Sequence, residues 1–196
     1  MMILKGILLG FAIAAPVGPI GVLCIKRTMT HGRTLGFVTG LGAATADGVY
    51  GFVAAFGFTS FIQLLMAQQM WLQLLGSAFL LYLAVQTWRA KPAAKPAALA
   101  GTSYRRAYAS TFLLTLTNPM TILSFIAVFS SLGAIQSGAF TIVIGIVIGS
   151  ALWWFILSQL AHQLARYVQT AALRVLNYVA AIVLASFALL QIISLL

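Results

Sequence analysis

The chain has 196 residues, 62% of them hydrophobic and only 6% charged, with a mean hydropathy of +1.07. Soluble domains are roughly 45–50% apolar and about 25% charged, and a water-soluble fold of this length could not hide so much apolar surface. Eleven Lys and Arg stand against one acid, Asp47, and Cys24 is the only cysteine, which excludes an intramolecular disulfide and a two-thiol relay.

The solvent must therefore be lipid. At about 20 apolar residues per spanning helix, the length accommodates six spans and leaves nothing for a soluble domain. The expected fold class is an all-α polytopic membrane protein, residues 1–196 forming a single membrane domain. In a soluble protein a net charge of +10 would suggest nucleic acid. In a lipid-embedded chain, basic residues set orientation and touch anionic lipid, so membrane lipid is the expected partner and nucleic acid is not.

The first predicted helix runs from about Ile3 to Ile25, interrupted by Pro16 and Pro19. It ends on no A-x-A-like cleavage site and continues into a basic segment, so it reads as mature structure rather than a signal peptide. Lys26 to Arg33 is expected to be a short loop. The second helix covers about Leu35 to Ser60, and the third about Met70 to Trp88. The Pro/Ala/Lys stretch at about 89–106 is too polar and Pro-rich to span and reads as a linker. The fourth helix is predicted over about Ala107 to Leu132, the fifth over Gly138 to Leu164, and the sixth over Leu176 to Leu195.

Charge placement gives the topology. Lys26, Arg27 and Arg33 follow the first span; Arg89, Lys91, Lys95, Arg105 and Arg106 follow the third; Arg166 and Arg174 follow the fifth. Only Lys5 falls on the other side. The positive-inside rule then puts these three connections, including the linker, in the cytoplasm and both termini outside.

Three spans per half invert the second half relative to the first. Residues about 1–88 and 107–196 are expected to form two inverted-topology three-helix repeats, a common transporter construction. The PVGP run at Pro16 to Pro19 and Asn118-Pro119 lie at similar depth in the first and fourth spans. Gly40-Leu41-Gly42 in the second span answers Gly145 and Gly149 in the fifth, and GSAFLLYLAVQ in the third answers AAIVLASFALLQ in the sixth.

Proline in mid-helix removes a backbone donor and clashes with the preceding turn, and in hydrocarbon the freed carbonyls need partners in protein or a water-lined cavity. Pro16, Val17, Gly18 and Pro19 should unwind helix one, and Asn118 and Pro119 helix four, with Thr115, Thr117 and Thr121 nearby. Breaks at matching positions of two halves point to a transporter's substrate site. The restarted half-helices offer amide donors and a positive dipole end, which suit a carboxylate. The alternative is two structural kinks.

Asp47 lies mid-span, where an acid costs roughly 2.5–3.5 kcal/mol on insertion scales. Such groups face the bundle interior and mark ion or substrate pathways. Gly36, Gly40, Ala43, Asp47 and Gly51 share one helical face, so Asp47 should point inward. It is a candidate proton-coupling group, a partner for a substrate ammonium, or both; the alternative is a structural acid bonding Asn118, a hydroxyl or a freed amide. His31 and His162 read as solvated. Trp153 and Trp154 read as either cavity wall or lipid packing, Gln159, Gln191 and Asn177 as isolated interhelical polar groups, and Cys24 as a packing residue. No nucleophile–base pair, metal-ligand cluster or phosphate loop is present in the sequence, so neither an enzyme nor a cofactor is expected.

The segments GFAIAAPVGPIG, GFVTGLGAATAD and TLTNPMTILSF resemble the lysine-exporter family, in its RhtB-type homoserine and threonine exporter branch, and the resemblance covers essentially the whole chain. It implies export of amino acids or similar small zwitterions across a bacterial cytoplasmic membrane, driven by the proton gradient. Family members often have Lys directly after the Asn-Pro, where this chain has Met120, so substrate range or coupling can differ. A divalent-metal exporter of the same fold is the runner-up, but hard cations need several oxygen ligands and one Asp is too few. A non-transporting structural subunit would have little use for a midplane acid and paired helix breaks. Small proteins of six spans often pair in the membrane, so a homodimer is one expectation; the alternative is that the small-residue faces are used entirely within one chain.

Overall fold

A computed structural model describes residues 2–16, 18–55, 67–90, 103–118, 121–125, 138–165, 167 and 170–195. The described elements are helices: α1 (Met2–Ala14), α2 (Pro19–His31), α3 (Arg33–Ala55), α4 (Gln69–Arg89), α5 (Tyr104–Leu116), α6 (Ala139–Ala165) and α7 (Thr170–Ile193). Residues 121–125 form a further helical stretch. Among these, α4, α6 and residues 173–193 of α7 are long and apolar enough to cross a bilayer. The pair α1 and α2, bent by 84°, adds a fourth crossing only if taken as one broken span. Helix α3 has the length, at 23 residues, but its glycines, threonines and Asp47 lower its hydropathy.

The expected third and fifth helices match α4 and α6 to within a residue at each end. Helix α7 begins six residues before the expected sixth helix, at Thr170 rather than 176. The ends of the expected second and fourth spans, at 56–60 and 126–132, lie outside the described residues, as do residues 91–102 of the linker. The first helix differs more. It is broken between Ala14 and Pro19, where the prolines predict, but α2 runs on to His31, so Lys26 and Arg27 lie inside it, not in a loop. The helix can continue past these cations because both find oxygen acceptors: Lys26 Nζ donates to Thr87 Oγ1 at 2.9 Å, and Arg27 bonds α3 and α5. Gly32 ends α2 with φ +93, a left-handed conformation open to glycine, and its N–H caps Thr28 O at 2.9 Å.

Close backbone approach organises the bundle. Gly6 and Gly10 of α1 face Gly145 and Gly149 of α6, and a Cβ on any of the four would run into the opposite helix's backbone. The register (Gly6 beside Ile142 and Gly145, Gly10 beside Ile146) makes the two helices parallel. Small residues at four-residue spacing allow such contact in lipid, where dispersion and not water exclusion drives association. Helices α3 and α5 are likewise parallel: Gly42 meets the backbone of Tyr108 and Phe112, and Tyr50 Oη donates to Leu116 O at 2.5 Å. Helix α3 runs antiparallel to α6, with Gly40 beside Trp154 and Gly48 beside Val147. Helices α4 and α7 are also antiparallel. Ser77 Oγ donates to Gln191 Oε1 at 3.0 Å near one end, while Trp88 packs on Tyr178 at 4.6 Å and Asn177 Nδ2 donates to Ala90 O at 3.2 Å near the other. Two apolar clusters fill the interior, one around Leu23, Leu80, Trp154 and Leu184, the other around Tyr50, Ile122, Phe125 and Ile146.

Candidate functional site

Both breaks restart a helix in the same way. Helix α1 ends at Ala14, and Gly18 becomes the N-cap of α2, its carbonyl accepting Val22 N at 3.1 Å. Pro19 takes the first helical position, where its missing N–H costs nothing and its fixed φ suits the helix. Helix α5 ends at Leu116, and Asn118 O accepts from Thr121 N at 3.1 Å and Ile122 N at 3.2 Å. Gly18 and Asn118 thus hold equivalent stations, each followed in sequence by proline. Val17, Pro119 and Met120 lie outside the described residues. Tyr50, which sequence reasoning passed over, satisfies the terminal carbonyl of Leu116 just before the second break.

A cavity of about 850 Å³ lies between the breaks, and Pro16, Gly18, Pro19, Asp47 and Asn118 all line it. The structure therefore brings together on one cavity every expected site residue that it describes. Ile20 and Gly21 also line it, so the first turn of α2 opens onto the space, and first-turn amides lack acceptors within their own helix.

Asp47 is 4% exposed. Its Oδ2 accepts the Ser150 hydroxyl at 2.7 Å, and Ser150 Oγ in turn accepts Trp154 Nε1–H at 3.2 Å. Ser150 is fully buried on α6, one turn from Trp154, so the pair stacks along one helical face. The indole N–H occupies an acceptor site on the serine oxygen, and the serine proton is directed at the carboxylate. Trp154 is cavity wall, not a lipid contact: it is buried, lines the cavity, and its ring fits over Gly40. Gln191, expected to make an interhelical bond, does so with Ser77 and also lines the cavity. Gln73, a buried polar group on α4, lines it too.

The basic end of the bundle is drawn together by Arg27. Its Nη1 donates to Thr39 Oγ1 at 3.3 Å, Ala107 O at 3.1 Å and Thr111 Oγ1 at 3.3 Å, and its Nη2 to Ser110 Oγ at 2.9 Å. All four acceptors are neutral. Arg27 and Lys26 thus tie α2 to α3, α5 and α4, while Gln69, Gln73, Ser194 and Leu195 line the cavity toward the opposite end. Cys24 is fully buried beside this clasp, its Sγ donating to Gly36 O at 3.3 Å, a packing residue as its sequence context suggested.

Sequence gave no reason to single out Ser150 or Arg27. One is a serine in an apolar helix, the other a cation in an expected loop. The family model described as LysE type translocator matches residues 11–195. The chain is 30% identical over 192 residues to the "Putative amino acid efflux protein YcgF" of Bacillus subtilis (strain 168), an alignment covering 94% of this chain and 91% of the relative. No solved structure matches it.

Proposed function

This chain belongs to the LysE type translocator family, and from that premise we propose that it is a secondary transporter exporting amino acids or similar small zwitterions, coupled to the proton gradient through Asp47. It is a multi-pass bacterial membrane transporter and not an enzyme. The observation that supports the mechanism best is the position of Asp47, the only acid in the sequence, buried on a cavity between two restarted helices. A substrate carboxylate would take the amides around Val17, Gly18, Ile20 and Gly21 and the Asn118 side, with its ammonium at Asp47. Pro16, Pro19 and Pro119 would keep the two breaks open. Proton and ammonium compete for one carboxylate, so binding one releases the other, which is the exchange an antiporter needs.

We further propose six spans in two inverted repeats, membership of the RhtB-type branch, and residence in the cytoplasmic membrane with both termini outside. The packing supports the repeat. Exchanging the first three spans with the last three turns the parallel contact of α1 with α6 into the parallel contact of α5 with α3. It returns the antiparallel pairs α3–α6 and α4–α7 to themselves. The equivalence of Gly18 and Asn118 fits the same operation. Rocking of the halves about the cavity would alternate access, with the Arg27 clasp closing the cytoplasmic end in the conformation described.

Proteoliposomes tested for proton-driven transport of labelled amino acids, wild type against Asp47→Asn, check this reading. Transport by wild type that the variant loses or uncouples supports it, and no amino-acid transport by folded wild type would sink it.

A further inference from the structure

We infer that the cavity selects neutral amino acids with large apolar side chains, an inference that rests on the export reading above. The cavity has two unlike sides. Asp47, Asn118 and the start of α2 form the polar one; Ile13, Trp154, Phe187 and Leu190, from α1, α6 and α7, form an apolar wall.

Charge bookkeeping sets the first limit. Among the described lining residues Asp47 is the only charged side chain, and no Lys or Arg is among them. The substrate ammonium uses Asp47, and the carboxylate uses neutral amides. A second ammonium, as on lysine, or a second carboxylate, as on glutamate, would enter a largely apolar space with no counter-charge, and burying an unpaired ion is strongly unfavourable. Such substrates are excluded by what the wall lacks.

Size sets the second limit. At about 850 Å³ the cavity lies toward the upper part of the roughly 300–1,000 Å³ range of small-molecule pockets. Alanine would leave the Trp154 and Phe187 wall uncovered, whereas leucine, methionine or phenylalanine would cover it. Each further buried methylene raises affinity roughly fourfold.

The test is uptake into proteoliposomes of labelled leucine, phenylalanine, methionine, alanine, lysine and glutamate, each measured directly over a range of concentrations. The expected result is half-saturation for the three large neutral substrates at concentrations more than about tenfold below those for alanine, lysine and glutamate. Gln73 is buried and lines the same cavity, so Gln73→Glu supplies the missing second carboxylate with little change of shape. This variant should improve lysine uptake relative to leucine. Wild-type lysine, glutamate or alanine uptake matching that of leucine would overturn the inference and leave the export reading standing. A lysine-to-leucine ratio unchanged by Gln73→Glu would also overturn it. Absence of uptake for every amino acid would overturn the export reading itself, and the inference with it.

Discussion

Ser150 on α6 donates its hydroxyl to the Asp47 carboxylate on α3 across 2.7 Å. The bond joins the only acid in the chain to the helix that packs against both α1 and α3, so any movement between α3 and α6 is felt at Asp47. Trp154, which also lines the cavity, fixes the serine from behind. A substrate contacting the indole would therefore be coupled to the acid through one side chain.

Graded loss along this relay is expected. A hydrogen bond to a charged group is worth about 1.5–3 kcal/mol, so Ser150→Ala should lower transport by roughly tenfold or more without unfolding the protein. Trp154→Phe keeps the ring but removes the N–H and should cost less than Ser150→Ala. Transport rates in proteoliposomes, with thermal unfolding as the control for folding, check the order. Equal rates for wild type and Ser150→Ala would leave the bond without a functional role.

The paired glycines predict where the fold tolerates no side chain. A Cβ at Gly10 would collide with the backbone of Ile146, and one at Gly149 with the backbone of Ile7. Neither neighbour can swing aside, so Gly10→Ala and Gly149→Ala should each cost about 1–3 kcal/mol and lower the detergent-solubilised Tm. Gly18 has nothing within 4 Å of an added Cβ and a φ of −112, so Gly18→Ala should leave the Tm close to wild type. A Tm for Gly10→Ala within error of wild type would argue against the close α1–α6 approach.

Arg27 holds four neutral acceptors on α3 and α5, and Cys24 lies buried one turn before it. Arg27→Ala should loosen this end of the bundle and raise the rate at which a membrane-permeant maleimide labels Cys24 in the folded protein. Arg27→Lys should restore little, because an ammonium cannot reproduce the planar fork. Labelling as slow in Arg27→Ala as in wild type would show that the clasp does not control access.

The proposed orientation places Ser103 and Gln68, both exposed, on opposite faces of the membrane. In a Cys24→Ser background, Ser103→Cys should react with an impermeant thiol reagent only from the cytoplasmic face and Gln68→Cys only from the outer one. Labelling of both from one side would contradict the six-span topology.

The site's outline was legible in the sequence because its features are chemically costly there. Pro16, Pro19 and an acid at Asp47 need a reason to be in an apolar span, and that reason is the cavity they line. Ser150 and Gly6 were not legible. Each is an ordinary small residue in an apolar helix, and its meaning lies in a partner more than a hundred residues away. Lys26 and Arg27 misled for a physical reason: the positive-inside rule counts charges at a membrane face, and says nothing of whether the backbone beneath them is helical or whether neutral oxygens enclose them. The sharp turn after α1 was half legible, since the prolines announce a break but not its 84° angle.

The most direct test of the central claim, that Asp47 couples transport to protons, is amino-acid counterflow measured beside proton-driven uptake in the same proteoliposomes. Wild type should do both. Asp47→Asn, which keeps the shape and can still accept the Ser150 hydroxyl, should lose the response to an imposed pH gradient. Proton-driven uptake by Asp47→Asn at the wild-type rate would contradict the claim and leave Asp47 a structural acid.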